Sequence, residues 1–118
     1  MKNVVKAFKA LSDDTRLRIM NVLLVRECCV CEVVQALDIS ETRASRNLTI
    51  LHSAGFLRMR KRGLWSLYSI DKEAMSKNFP GLLGSLKKQL NDNTDKDVDR
   101  QRLATSVRTG LSCTKDRH

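Results

Sequence analysis

Three cysteines fall within four positions, Cys28, Cys29 and Cys31, and a fourth, Cys113, stands near the end of the 118-residue chain. A disulfide framework needs an oxidising compartment and well-separated half-cystines, and this cluster offers neither. Crowded thiols in a reduced protein form a thiolate site, and thiolates favour soft ions. Residues 28–31 are therefore the first candidate for ligand or redox chemistry. His52 and His118 stand apart from the cysteines and are assigned to the surface, with His52 within reach of a phosphate.

The second chemical feature is charge. The chain holds 22 Lys and Arg against 13 Asp and Glu, a net +9. Residues 1–90 carry 16 basic and 8 acidic groups, and residues 91–118 carry 6 and 5, so nearly all the excess lies in the first part. The stretch Arg58-Met59-Arg60-Lys61-Arg62 puts four positive charges in five residues. A focused basic patch on a small domain calls for a polyanionic partner. No apolar run reaches the roughly 20 residues that span a bilayer, and the first residues lack the pattern of a signal peptide. A cytoplasmic protein with no membrane partner is expected. Enzyme chemistry finds no support either. There is no Ser–His–acid set, no Gly-rich phosphate loop and no metalloprotease motif.

The elements that must position these residues follow from periodicity. Val4, Val5, Phe8 and Leu11 give an amphipathic first helix. Ser12, Asp13 and Asp14 supply the cap and first turn of a second, with Leu17, Met20, Leu23 and Leu24 inward, ending near Arg26. A third, short helix starts in the cysteine cluster and buries Val30, Val33, Val34 and Leu37. Ser40 caps a fourth that ends near Ala54, closed by Gly55 in the left-handed conformation. Two strands follow, Leu57–Arg62 and Leu64–Ile70, paired as a hairpin with the basic run at its tip. Asp71 begins another helical stretch, Pro80 interrupts it, and Leu82, Leu83, Leu86 and Leu90 form a leucine stripe. The fold class is mainly α with a small β-hairpin. Residues 1–90 form one domain, and 91–118 a polar, mobile tail with a short helix around residues 100–107.

The third and fourth helices are joined by a short turn, as a helix-turn-helix requires. In the fourth, Ala44, Leu48 and Leu51 face inward. Thr42, Arg43, Ser45, Arg46 and Thr49 line the opposite stripe. A major groove admits one helix, Arg reads guanine bidentately, and Ser and Thr bind phosphates or base edges. The DNA-contacting set is therefore Ser40, Thr42, Arg43, Ser45, Arg46 and Thr49, with Arg60, Lys61 and Arg62 at the hairpin tip gripping phosphates or an adjacent minor groove. The apolar faces of the first helix and of the leucine stripe remain over once a small core is filled, which suits a homodimer on a palindromic double-stranded operator.

These motifs resemble the ArsR/SmtB family of winged-helix metal-sensing repressors. Ala10-Leu11-Ser12-Asp13-Asp14-Thr15-Arg16-Leu17-Arg18-Ile19-Met20 is similar to that family's second-helix signature. Ala44-Ser45-Arg46-Asn47-Leu48-Thr49-Ile50-Leu51, followed by Ala54-Gly55-Phe56-Leu57, is similar to its recognition helix and exit, and Gly63 through Tyr68-Ser69-Ile70 to its wing. The resemblance covers about residues 4–90 and implies a winged helix-turn-helix, dimeric through its first and last helices. Asn47 stands where the family commonly has His, a change expected to alter base or phosphate contacts.

Cys28-Cys29-Val30-Cys31-Glu32-Val33 resembles the Cys-Val-Cys-Asp-Leu element of the family's arsenic and antimony sensors. It implies As(III) or Sb(III) as inducer, held by three sulfurs in a pyramid. Cys29 and Cys31 map onto the element, but its further Cys is Val34 here. Cys28 is the first choice for the third sulfur and Cys113, on the tail or from the other subunit, the second. In a regular helix positions 29 and 31 lie about 200° apart around the axis, so binding is expected to unwind or re-aim the first turn and release DNA. Alternatives are a thiol redox regulator or a sensor of another soft metal, cadmium or lead. Zinc sensors of the family use Asp and His on the last helix, and residues 71–90 contain no His.

Overall fold

The computed structural model describes residues 2–92 and 96–108. Its helices are α1 (Lys2–Leu11), α2 (Asp14–Leu23), α3 (Val30–Leu37), α4 (Glu41–Ser53), α5 (Lys72–Asn78), α6 (Leu82–Asn91) and α7 (Lys96–Thr105). Its strands are β1 (Cys28–Cys29), β2 (Leu57–Arg62) and β3 (Trp65–Ile70). The local signals act where the sequence puts them. The Asp13 carboxylate accepts from the Arg16 N–H and starts α2, and Ser40 Oγ accepts from the Arg43 N–H and starts α4. Gly55 has φ +93° and lets the chain leave α4 toward β2. Pro80 separates α5 from α6, as a residue without an N–H must.

The core lies between α2, α3, α4 and the sheet. Ile19, Met20, Val33, Leu37, Leu48, Leu51 and Phe56 are essentially closed to solvent, and each such apolar side chain stabilises the fold by about 1.5–3 kcal/mol. Arg16 ties three helices together. It donates to the Lys9 and Ala10 carbonyls at the end of α1 and to Asn47 Oδ1 in α4.

Three features depart from the sequence expectations. The sheet has three strands, in the order β1-β3-β2, because Cys28 pairs with Tyr68 and Cys29 with Leu67. The second helix ends at Leu23 rather than near Arg26, freeing residues 24–27 to turn into β1. The tail is not simply mobile: α7 packs on α2 and α3, with Leu103 and Asp99 buried. Leu103 joins the main hydrophobic core, but it stands alone among polar neighbours, so the tail looks solvated in sequence. Beside Leu103, Asp99 docks it, forked by Arg18 at 2.8 and 3.0 Å.

Candidate thiol site and nucleic-acid surface

Cys29 and Cys31 are drawn together by the junction between β1 and α3. Cys29 is the N-cap of α3, with extended backbone (φ −87°, ψ 171°), and Cys31 lies in the first helical turn. Their sulfurs stand 2.8 Å apart. Positions 29 and 31 would diverge inside a helix, but Cys29 lies outside it, and no unwinding is needed to bring the pair together. This corrects the expectation that the first turn must open for the two sulfurs to meet. Two sulfurs each about 2.3 Å from a shared ion, as thiolates are from zinc, lie within about 4.6 Å of each other. At 2.8 Å the pair is inside that limit but closer than the about 3.7 Å of two thiolates on a tetrahedral ion, so the sulfurs must part slightly to share one.

Cys28 is not part of this constellation. Adjacent strand residues face opposite sides of a sheet, and the Cys28 side chain belongs to the main core while Cys29 and Cys31 pack with Leu67 and Trp65. Burial pushes the Cys28 thiol up to about 12, and the Glu32 carboxylate adds to the shift. The structure thus does not bring the first-choice third sulfur to the pair. Cys113 lies outside the described residues. Among the described residues no cluster of three or more metal-ligating side chains is assembled.

Glu32 organises the surroundings of the pair. Its Oε1 accepts from the Cys29 N–H and from Arg108 Nε, both at 2.9 Å, and its Oε2 accepts from Arg26 Nη1 at 2.6 Å. Burial raises its carboxyl pKa, but the Cys29 amide and the two guanidinium groups outweigh that and hold it below the usual carboxylate value. Arg108 also lies 5.7 Å from the Trp65 ring centroid. Sequence reasoning missed Glu32, although an acidic residue three positions after a cap is a recognised helix-start signal.

The predicted DNA-facing residues divide into two groups. Thr42, Ser45, Arg46 and Thr49 are exposed along one side of α4, and Thr42, Ser45 and Arg46 border an open groove with Glu41. Ser40 is exposed at the helix start. Arg43 is exposed but its guanidinium donates to Thr15 Oγ1 of α2 at 2.7 Å. Arg60 turns from the hairpin to fork onto Glu27 at 2.7 and 2.8 Å, which lowers the Glu27 pKa. Lys61 donates to Ser66 Oγ across the hairpin, and Arg62 is exposed at the turn. Asn47 is 8% exposed and donates to the Arg43 carbonyl while accepting from Arg16. It joins α2 to α4, so its substitution for the family's His acts on packing rather than on a DNA contact. His52 is exposed and meets Tyr68 edge-on, with ring centroids 6.3 Å apart.

The arsR family of bacterial regulatory proteins matches residues 13–58, the span from the α2 cap through the helix-turn-helix into β2. A cadmium resistance regulatory protein homologue of Staphylococcus aureus is 46% identical over 72 residues, 60% of either chain. An arsenic resistance transcriptional regulator of Pseudomonas putida is 46% identical over 68 residues, 56% of this chain and 52% of that one. The chain belongs to the ArsR family. It spans about half to three-fifths of the length of these curated relatives. The fold agrees: a homodimeric winged helix-turn-helix DNA-binding domain of Mycobacterium bovis, a possible ArsR-family regulator, superposes with a TM-score of 0.64 at 29% identity, covering 79% of this chain and 82% of that one. In this ArsR-family chain Cys29 of the thiol pair and the hairpin share one sheet. Among the described residues, no helix is long and apolar enough to cross a membrane.

Proposed function

We propose that this ArsR-family chain is a cytoplasmic, non-enzymatic transcriptional repressor that releases a palindromic DNA operator when trivalent arsenic or antimony binds Cys29 and Cys31. One observation carries the reading: the two sulfurs already stand 2.8 Å apart, Cys29 on a strand hydrogen-bonded to the hairpin that would flank the DNA and Cys31 in the first turn of α3. Both thiols are buried under Leu67 and Trp65 of β3. Admitting an ion must move that cover, and β3 is the strand through which β1 joins β2. The hairpin thus offers a direct route from thiols to DNA, alongside the α3–α4 turn. A ligand that favours the displaced sheet lowers DNA affinity by its preference for that state.

Dimerisation fits the exposed face of α1, where Val4, Val5 and Phe8 are 43%, 44% and 58% accessible. A second copy covering it, with α6 contributing its leucines, would set two recognition helices about one helical turn of DNA apart.

The deciding experiment is operator binding by the reduced protein during titration with arsenite. The expected result is release of DNA, coincident with a thiolate absorbance band and a change in the fluorescence of Trp65, the one tryptophan in the chain. Retained DNA at saturating band intensity would remove the switch. Absence of the band would remove the ligand. Cadmium, the metal named for the Staphylococcus aureus relative, serves as the comparison ion.

The sulfur separation also favours a second reading. Two thiols this close can lose two electrons and two protons to a peroxide and close to a disulfide. DNA release by peroxide alone, with arsenite inert, would select it.

The hairpin contributes phosphate contacts. Lys61→Ala and Arg62→Ala are each expected to weaken all DNA sequences alike and to reduce the slope of log K against log salt by about 1. Arg60→Ala should change the slope less, because its guanidinium is already engaged by Glu27.

A further inference from the structure

Helix α1 has three sides. Ala7, Ala10 and Leu11 pack on the core, and Val4 and Phe8 share a second side, with Val5 at its border. At about 100° per residue, Lys2, Lys6 and Lys9 fall within about 60° of one another on the third. That lysine side is turned toward α4. Between the two helices runs an open groove of about 660 Å³, bordered by the three lysines and by Thr49, Ile50 and Ser53 of α4. No acidic residue lines the groove, and α1 contains none. All three lysines are exposed, and among the described residues none of them is ion-paired. The Arg16 guanidinium adds positive charge at the groove wall, but it is engaged by the Lys9 and Ala10 carbonyls and by Asn47.

On α4, Thr49 and Ser53 belong to the outward stripe. Thr42, Ser45, Arg46, Thr49 and Ser53 are separated by three, one, three and four residues, the spacing of a single helix face. The groove is therefore the C-terminal continuation of the surface that carries Arg46, and α1 stands beside it.

We propose that the α1–α4 groove is a phosphate-binding flank of the DNA surface, with Lys2, Lys6 and Lys9 as its cations. The inference rests on the repressor reading above and extends its contact surface to a helix that the reading uses only for subunit pairing. Charge complementarity and continuity with the α4 stripe select the occupant. Seven residues of helix set Lys2 and Lys9 about 10 Å apart along the axis, the length of duplex over which one strand advances by about three phosphates. Lysines on flexible stems bind phosphates as point charges, and such contacts position a protein on DNA without reading its sequence. Pairing of two copies through Val4 and Phe8 would bring both lysine rows close to the two-fold axis. There they would face the backbone between the two half-sites.

The test is the salt dependence of binding to a random-sequence duplex of roughly 30 base pairs, long enough for two half-sites one turn apart. Lys6→Gln with Lys9→Gln is expected to lower the slope of log K against log salt by about 2 for each bound subunit, with affinity at least about tenfold weaker. Both positions are exposed and glutamine keeps the helix propensity of lysine, so melting temperature and dimer should match the parent. Ser53→Glu places a carboxylate in the groove without removing a lysine, and it should weaken DNA in the same direction. Lys87→Gln with Lys88→Gln removes equal charge from exposed positions of α6 and should change the slope less than half as much. A parent-like slope in the α1 double variant would overturn the proposal, as would an equal loss in the α6 variant, which would reduce the effect to net charge. Dissociation of the dimer in the α1 variant would also overturn it and assign the groove to the second copy. A parent protein that binds no DNA at any salt concentration would instead overturn the repressor reading.

Discussion

The double substitution Cys29→Ser with Cys31→Ser is expected to abolish arsenite-induced release while leaving the protein folded and bound to its operator. The parent should lose about 5- to 150-fold in DNA affinity at saturating arsenite, the usual span of coupling between two sites. The double variant should lose none. Serine oxygens are hard donors that stay protonated and do not replace thiolates on a soft ion. The fold should tolerate the change. At position 29 serine is a preferred helix cap, and its hydroxyl can accept from the first-turn N–H groups of α3. At position 31 a buried hydroxyl costs about 1–2 kcal/mol unless it finds a partner, and the Val107 carbonyl is beside it. Release is measured by gel shift, with thermal melting as the control. Cys28→Ser supplies the contrast, because its thiol sits in the main core: it should lower the melting temperature and leave the arsenite response intact. A double variant that still releases DNA on arsenite would move the sensor elsewhere in the chain.

Much of the frame was legible because it rests on local chemistry. Asp13, Ser40 and Asp71 cap helices as their side chains dictate, and Gly55 turns where only a left-handed residue serves. The alternation of Leu57 and Met59 with arginines marks β2. What stayed hidden was decided by partners distant in sequence. A two-residue strand has no pattern of its own; β1 exists because β3 offers Leu67 and Tyr68 as ladder partners. With β1 comes the placement of Cys29 outside α3, and with that the convergence of the sulfurs. Long charged side chains behave in the same way. Arg43, Arg46 and Arg60 look equivalent on an outward stripe or a hairpin tip. Yet Arg43 turns to Thr15 and Arg60 to Glu27, and this leaves Arg46 as the arginine standing with Thr42 and Ser45 at the open groove. The docked tail was hidden for a related reason, since an ion pair such as Arg18–Asp99 spans 81 residues.

Glu32→Ala is expected to be the most destabilising substitution around the site, and to impair the inducer response as well. The carboxylate is 3% exposed and accepts three hydrogen bonds, from the Cys29 N–H, Arg108 and Arg26. Removing one partner of a buried ionic group costs about 3–5 kcal/mol when the remaining charge is stranded. Here the lower end applies, because Arg26 and Arg108 are 37% and 29% exposed and can turn to water. About 3 kcal/mol in a chain of this size corresponds to a fall of roughly 10 °C in melting temperature. The functional loss has a separate origin. Arg108 loses its hold beside the thiols, and the backbone at Cys29 loses the acceptor that pins it to the first turn of α3. Arsenite affinity should therefore fall even at temperatures where the variant is fully folded. Glu32→Gln keeps an acceptor oxygen for the Cys29 amide but sheds the charge, so it should lie between the parent and the alanine variant in both measurements. A Glu32→Ala protein that melts with the parent would show that the two arginines find equal partners without it.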